Sequence, residues 1–158
     1  MTIVEVESDG NCMFGSVAFV IYGDEKYKTL IRIKCMDYIL ANRDYFKDYI
    51  DLGKYMNIED YCEHKKHDAI WGDDIELQAM SEIYTRPIEI FAYSDQPMRT
   101  LHEQIEGQDG SIQPIRISYH GRSHYNAIVP TNWNRNSCLV KGRPGDIENE
   151  AIELSKHG

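Results

Sequence analysis

The sequence predicts one mixed α/β domain in which helices surround a small, largely antiparallel sheet. Its 158 residues are the size of a single ordinary domain and long enough to bury a real core. Apolar residues recur at helical spacing in the longer runs and alternate only in short ones, which separates helices from strands. Hydrophobic residues make up 42% and charged residues 27%, the balance of a globular chain and not of a disordered segment or a coiled coil. No internal repeat or low-complexity tract interrupts it.

Residues 3–6 (Ile-Val-Glu-Val) read as a first short strand. Ser8, Asp9, Gly10 and Asn11 form a turn cluster, with Asn11 offering a helix N-cap. Residues 12–22 are apolar and stop at Gly23, a helix with its termination signal. Across residues 27–42 the spacing of Tyr27, Ile31, Cys35, Tyr38 and Ile39 predicts a second helix, with Arg32 and Lys34 expected to face away from that stripe. Residues 44–67 are rich in tyrosine and charge and are expected to hold short helices. Trp71-Gly72-Asp73-Asp74 punctuates the chain before a helix over 75–84, which Pro87 closes. Residues 88–93 read as a strand, 94–113 as a long loop of the kind that is often functional. Ile115, Ile117 and Tyr119 alternate as a strand, Gly121-Arg122-Ser123 turns the chain, and 124–129 returns as its hairpin partner. Residues 1–131 are therefore expected to form the domain, and 132–158 an extension with an amphipathic helix near 145–156.

Seventeen basic residues against 26 acidic ones give a formal net charge of −9. With no dense basic stretch, such a chain repels phosphate backbones, so nucleic acid is not the expected partner; a basic protein or peptide suits the charge better. Cys12, Cys35, Cys62 and Cys138 are widely and irregularly spaced, which argues against a disulfide framework and for reduced thiols in the cytosol or nucleus. No signal peptide and no apolar run of spanning length is visible, so a membrane is not expected either.

Cys12 follows a tight turn and opens a predicted helix. Helix N-termini present partial positive charge and free N–H groups, which favour a thiolate and can stabilise an oxyanion. Gly10 would let the turn backbone approach a substrate carbonyl. A cysteine nucleophile needs a base from elsewhere in the fold; His64, His67, His102, His120, His124 and His157 are available. His124 leads, because side chains at i and i+2 of a strand share a face and Asn126 could then hold the imidazole in one tautomer. His120 is the alternative. Cys62, His64 and His67 have a spacing that could present three metal donors, but a fourth is missing nearby, and a solvated polar stretch is the expected reading. Residues 148–155 partly resemble a ubiquitin-interacting motif, although a helix packed on the domain is the expected reading.

Asp9-Gly10-Asn11-Cys12-Met13-Phe14 resembles the nucleophile motif of the OTU (ovarian tumour) cysteine deubiquitinases. Trp71-Gly72 with Glu76-Leu77-Gln78-Ala79 resembles that family's WG…E-x-x-A helix, and His124-Tyr125-Asn126 its histidine motif, all in the family's order. Tyr22-Gly23-Asp24, Cys35-Met36-Asp37-Tyr38 and Arg86-Pro87-Ile88-Glu89 further resemble the DUBA-type subgroup. The resemblance implies a papain-like cysteine protease fold without metal or organic cofactor, acting as a monomer on the isopeptide bond between the ubiquitin C-terminus and a lysine. It implies Cys12 as nucleophile, His124 as base and then acid, and an oxyanion hole of backbone amides around Gly10 and Asn11. Either Asp9 or Asn126 would be the third member. Ubiquitin or polyubiquitin would be gripped by residues 44–68 and 94–113. The alternatives are a ubiquitin-binding module with latent or lost activity, and a protease for a ubiquitin-like modifier.

Overall fold

The computed structural model describes residues 1–50, 52–67, 70, 72–92, 94, 96–102, 113–121, 124–134, 137 and 139. In chain order these form β1 (Thr2–Val4), α1 (Cys12–Tyr22), a 3-10 turn at Glu25–Tyr27, α2 (Lys28–Ala41), α3 (Arg43–Phe46), α4 (Ile58–Lys65), α5 (Asp74–Tyr84), β2 (Ile88–Phe91), β3 (Arg99–Leu101), β4 (Ile115–His120) and β5 (His124–Val129). The expected helix at 145–156 lies outside the described residues.

The strands make one five-stranded sheet in the order β1-β5-β4-β2-β3. Its pairings are antiparallel except β2 with β4, which run parallel. Parallel neighbours need a crossover, and here the chain leaves β2, adds β3 on the outer edge and returns to β4 on the inner side. β3 thus falls inside the stretch expected to be a loop, which is a correction. Gly121, at φ 65°, takes the left-handed conformation that the β4–β5 turn requires.

Register fixes which face each strand buries. Ile88 and Ile90 lie beside Ile115 and Ile117, and Ile117 beside Ala127, so these side chains share the core face. Against that face lies α1, buried almost all round through Phe14, Val17, Ala18 and Ile21. Helix α2 packs on α1 and α5 packs on α2, burying Ile31, Cys35, Met36, Ile39, Leu77 and Met80. Gly23, at φ 83°, ends α1 as expected, its N–H closing on Phe19 O.

One expectation for α2 fails. Arg32 is 0% exposed and Lys34 is also buried, so neither faces away from the protein. Arg32 lies three residues before Cys35 and four before Met36, within the buried stripe by helical geometry. The helix packs against α1, α4 and α5 and therefore has little outward face to offer.

Candidate active site

The turn over residues 9–12 is built by its own hydrogen bonds. Asp9 Oδ1 accepts from the Asn11 amide at 2.9 Å, and the Cys12 amide turns back to Asp9 O at 3.2 Å. Asn11 occupies the N-cap position of α1 but does not cap it. Its backbone sits at φ −100°, ψ 4°, and its side chain makes no capping bond. Instead Asn11 Oδ1 accepts from Arg32 at 2.7 Å.

Cys12, the first residue of α1, is 1% exposed. β1 ends opposite Ala127. Two residues further back on β5, the Tyr125 amide instead meets Cys12 Sγ at 3.4 Å. Burial pushes the Cys12 thiol above its ordinary value; the Tyr125 amide opposes this, the Asp9 carboxylate adds to it, and the amides of Met13 and Cys12 lower it again.

His124 and Asn126 project from β5 on one face, as alternation requires. His124 Nε2 lies 2.9 Å from Asn126 Oδ1, and the same oxygen accepts from the Val6 amide at 3.0 Å. A backbone N–H can only donate, so the amide must present its oxygen here; His124 Nε2 is then the protonated nitrogen. The neutral ring keeps its lone pair on Nδ1, which is buried and makes no hydrogen bond among the described residues. This leaves Nδ1 as the atom to exchange a proton with a thiol. An open cleft of about 600 Å³ borders the imidazole, lined by Glu5, Val6, Ser8, His120, His124 and Asn126 among others.

β5 therefore sets His124 and Asn126 on either side of Tyr125, whose amide meets the Cys12 sulfur, whereas the Asp9 carboxylate binds the Asn11 amide and Lys28 Nζ at 3.4 Å. Of the amides expected to stabilise an oxyanion, that of Asn11 is engaged by Asp9 in this state, as is the neighbouring Cys12 amide; the Gly10 amide makes no such bond among the described residues. His120 faces His124 across the strand pair and bonds Ser118 Oγ at 2.8 Å. His102 pairs with Glu82, and the His64 ring lies 5.3 Å from that of Tyr55. His157 and Cys138 lie outside the described residues. Among the described residues no group of three metal-ligating side chains converges. Cys62 is a core residue with its thiol pushed up to about 12 by burial, and burial likewise raises Cys35 well above the ordinary range.

Behind the turn stands a polar network that the sequence reading did not assemble. The Arg32 guanidinium donates to Gly10 O at 3.3 Å, Asn11 Oδ1 and Lys65 O at 2.9 Å, and lies 4.4 Å from the Phe14 ring centre. Lys65 Nζ pairs with Asp73 at 3.1 Å, while Glu76 closes the α5 capping box on the Asp73 amide at 2.7 Å and accepts from the Tyr61 hydroxyl. Gly72 belongs to this junction. A Cβ there would stand 2.6 Å from Met13 Sδ and 3.3 Å from Phe14 Cε2, so a side chain at this position would have to displace the Met13 thioether and crowd the Phe14 ring. The signal for Arg32 was present in its helical phase; its charge hid it.

The family model for OTU-like cysteine proteases matches residues 7–126, a span containing all four candidate side chains. OTU domain-containing protein 5 of Rattus norvegicus is 39% identical over 132 residues, covering 82% of this chain and 22% of the relative. The OVARIAN TUMOR DOMAIN-containing deubiquitinating enzyme 6 of Arabidopsis thaliana is 39% identical over 121 residues, 77% of this chain and 23% of that protein. The chain thus spans about a fifth of the length of the curated relatives it matches. Among solved structures, an ovarian tumour domain in complex with ubiquitin superposes with a TM-score of 0.67 at 20% identity, covering 99% of this chain and 85% of that one. The OTUD1 OTU domain gives 0.66 at 22% identity, with 79% and 83% covered. A buried cysteine opening a helix against the strand of a His–Asn pair, on a fold shared with these domains and under a family match across most of its length, has one consistent reading: the chain belongs to the OTU-like cysteine protease family.

Proposed function

We propose that this chain is a thiol-dependent deubiquitinase that hydrolyses isopeptide bonds at the ubiquitin C-terminus, with Cys12 as nucleophile, His124 as base and then acid, and Asn126 as the orienting residue. The observation that carries the reading is that β5 meets the Cys12 sulfur with its Tyr125 amide while presenting the His124–Asn126 pair from the flanking positions. Relatives named as deubiquitinating enzymes and OTU domains solved with ubiquitin support the substrate class. The net charge of −9 suits a ubiquitin tail that carries arginines.

The thiol proton passes to His124 Nδ1 while Nε2 stays bonded to Asn126 Oδ1. The thiolate then adds to the carbonyl of the terminal glycine, and the oxyanion is stabilised by turn amides. Collapse expels the lysine amine, which takes the proton from His124 Nδ1. Water, deprotonated by the same nitrogen, next hydrolyses the thioester and frees the ubiquitin carboxylate and the Cys12 thiol. Because the Asn11 amide is bonded to Asp9 at rest, the turn must release that amide if it is to receive the oxyanion.

Reaction with ubiquitin bearing a C-terminal electrophile tests the reading. The wild-type chain and Cys35→Ala should form the adduct, and Cys12→Ala should not. Hydrolysis of linked diubiquitins then separates an enzyme from a binding module. An adduct on Cys12→Ala would refute the nucleophile.

A further inference from the structure

We propose that Arg32 is a positioning residue that clamps the turn before Cys12 in a conformation where Asn11 cannot cap α1, so that the Met13 amide of the first turn is left to the Cys12 sulfur. The proposal rests on Cys12 as the nucleophile and adds how its surroundings are maintained.

An Asn ahead of a helix ordinarily takes an extended backbone and turns its side-chain oxygen onto the N2 or N3 amide. Asn11 does neither: its ψ is 4° and its Oδ1 is held by Arg32 at 2.7 Å. The same guanidinium nitrogen holds Gly10 O, the carbonyl one residue earlier, so two successive residues of the turn are fixed from one side. The other nitrogen is anchored on Lys65 O at the end of α4, and the Phe14 ring covers the group. Burying a cation is costly unless hydrogen bonds satisfy it, and Arg32 is 0% exposed.

The bearing on chemistry follows from what acts on the sulfur. The Tyr125, Met13 and Cys12 amides stabilise the thiolate, burial and the Asp9 carboxylate oppose it, and the His124 imidazole stands on the adjacent strand. A capping Asn11 would turn its oxygen onto the N2 or N3 amide, that of Met13 or Phe14, and so compete for the Met13 amide. Arg32 prevents this by holding the oxygen elsewhere.

The test uses the full chain and measures iodoacetamide alkylation of Cys12 against pH, with the site read by peptide mass spectrometry. Arg32→Lys keeps a buried cation but cannot span oxygens on two elements. Its alkylation midpoint should rise by about one pH unit, the size expected from one competing cap bond. For ubiquitin–fluorophore hydrolysis kcat should fall about tenfold with KM unchanged. Adding Asn11→Ala removes the competing oxygen and should return the midpoint to that of the wild type. If Arg32→Lys does not fold, Asn11→Ser and Asn11→Ala decide. Serine is a good cap too short for Arg32 to hold, so it should raise the midpoint while alanine does not. An unshifted Arg32→Lys midpoint, a shift that survives Asn11→Ala, or equal midpoints for the serine and alanine variants would overturn the proposal. Alkylation requires no ubiquitin, so a chain unreactive toward ubiquitin would defeat the deubiquitinase reading and leave this result standing.

Discussion

Asn126 Oδ1 accepts from both the Val6 amide and His124 Nε2, and an amide nitrogen in its place would satisfy neither. Asn126→Ala frees the imidazole to rotate and strands the Val6 donor. Its kcat/KM toward ubiquitin–fluorophore should fall more than ~10-fold, about 1.4 kcal/mol of transition-state stabilisation, with the fold checked by thermal melting. Wild-type kinetics would remove Asn126 from the triad. Asp9 acts differently. Its carboxylate raises the Cys12 thiol, and as asparagine it could still accept the Asn11 amide. Asp9→Asn should therefore lower the pH at which Cys12 reacts with iodoacetamide, because less negative charge then opposes the thiolate. A midpoint that stays or rises would contradict this. At this scale the sequence disclosed the side chains: period-two alternation paired His124 with Asn126, and the Asp-Gly-x-Cys turn marked Cys12. It could not disclose the amides of Val6 and Tyr125, since every residue but proline has one and only the fold selects which is used.

The α4–α5 junction shows what a sequence motif is made of. Glu76 is fully buried, closes the α5 capping box and accepts from the Tyr61 hydroxyl. Burial lifts its carboxyl above the ordinary range, with Lys65 as the main opposing charge. Glu76→Ala removes half of the capping box and leaves the Tyr61 hydroxyl without this acceptor. Urea unfolding should show a loss of about 2–4 kcal/mol, the sum of a lost cap and an unsatisfied buried donor; a loss under about 1 kcal/mol would mean the network is not structural. Helices α1 and α5 were legible because a glycine or proline stop bounds each and apolar spacing fills it. β3 was not, because Arg-Thr-Leu is too short and polar to alternate and is a strand only through its pairing with β2. The parallel β2–β4 contact was illegible for a related reason: it joins segments whose adjacency is set by the whole sheet.

For the molecule as a whole, the proposed chemistry needs only a thiol, an imidazole and backbone amides. Hydrolysis should proceed unchanged in EDTA and be lost on thiol oxidation until a reductant is restored; activity that disappears with EDTA and returns with zinc would overturn the cysteine mechanism. The same components also set a timetable. The sulfur and the amide it meets are 113 residues apart, and Val6 and Asn126 are 120 apart. A ribosome adding 5–20 residues per second exposes the cysteine turn roughly 6–23 s before β5 has been made. Throughout that interval the nascent chain carries a thiol with no base to activate it and an N-terminal segment with no strand to pair. On the proposed mechanism competence comes only when β5 emerges, so a chain halted before residue 125 would carry the nucleophile turn without the strand that makes it reactive.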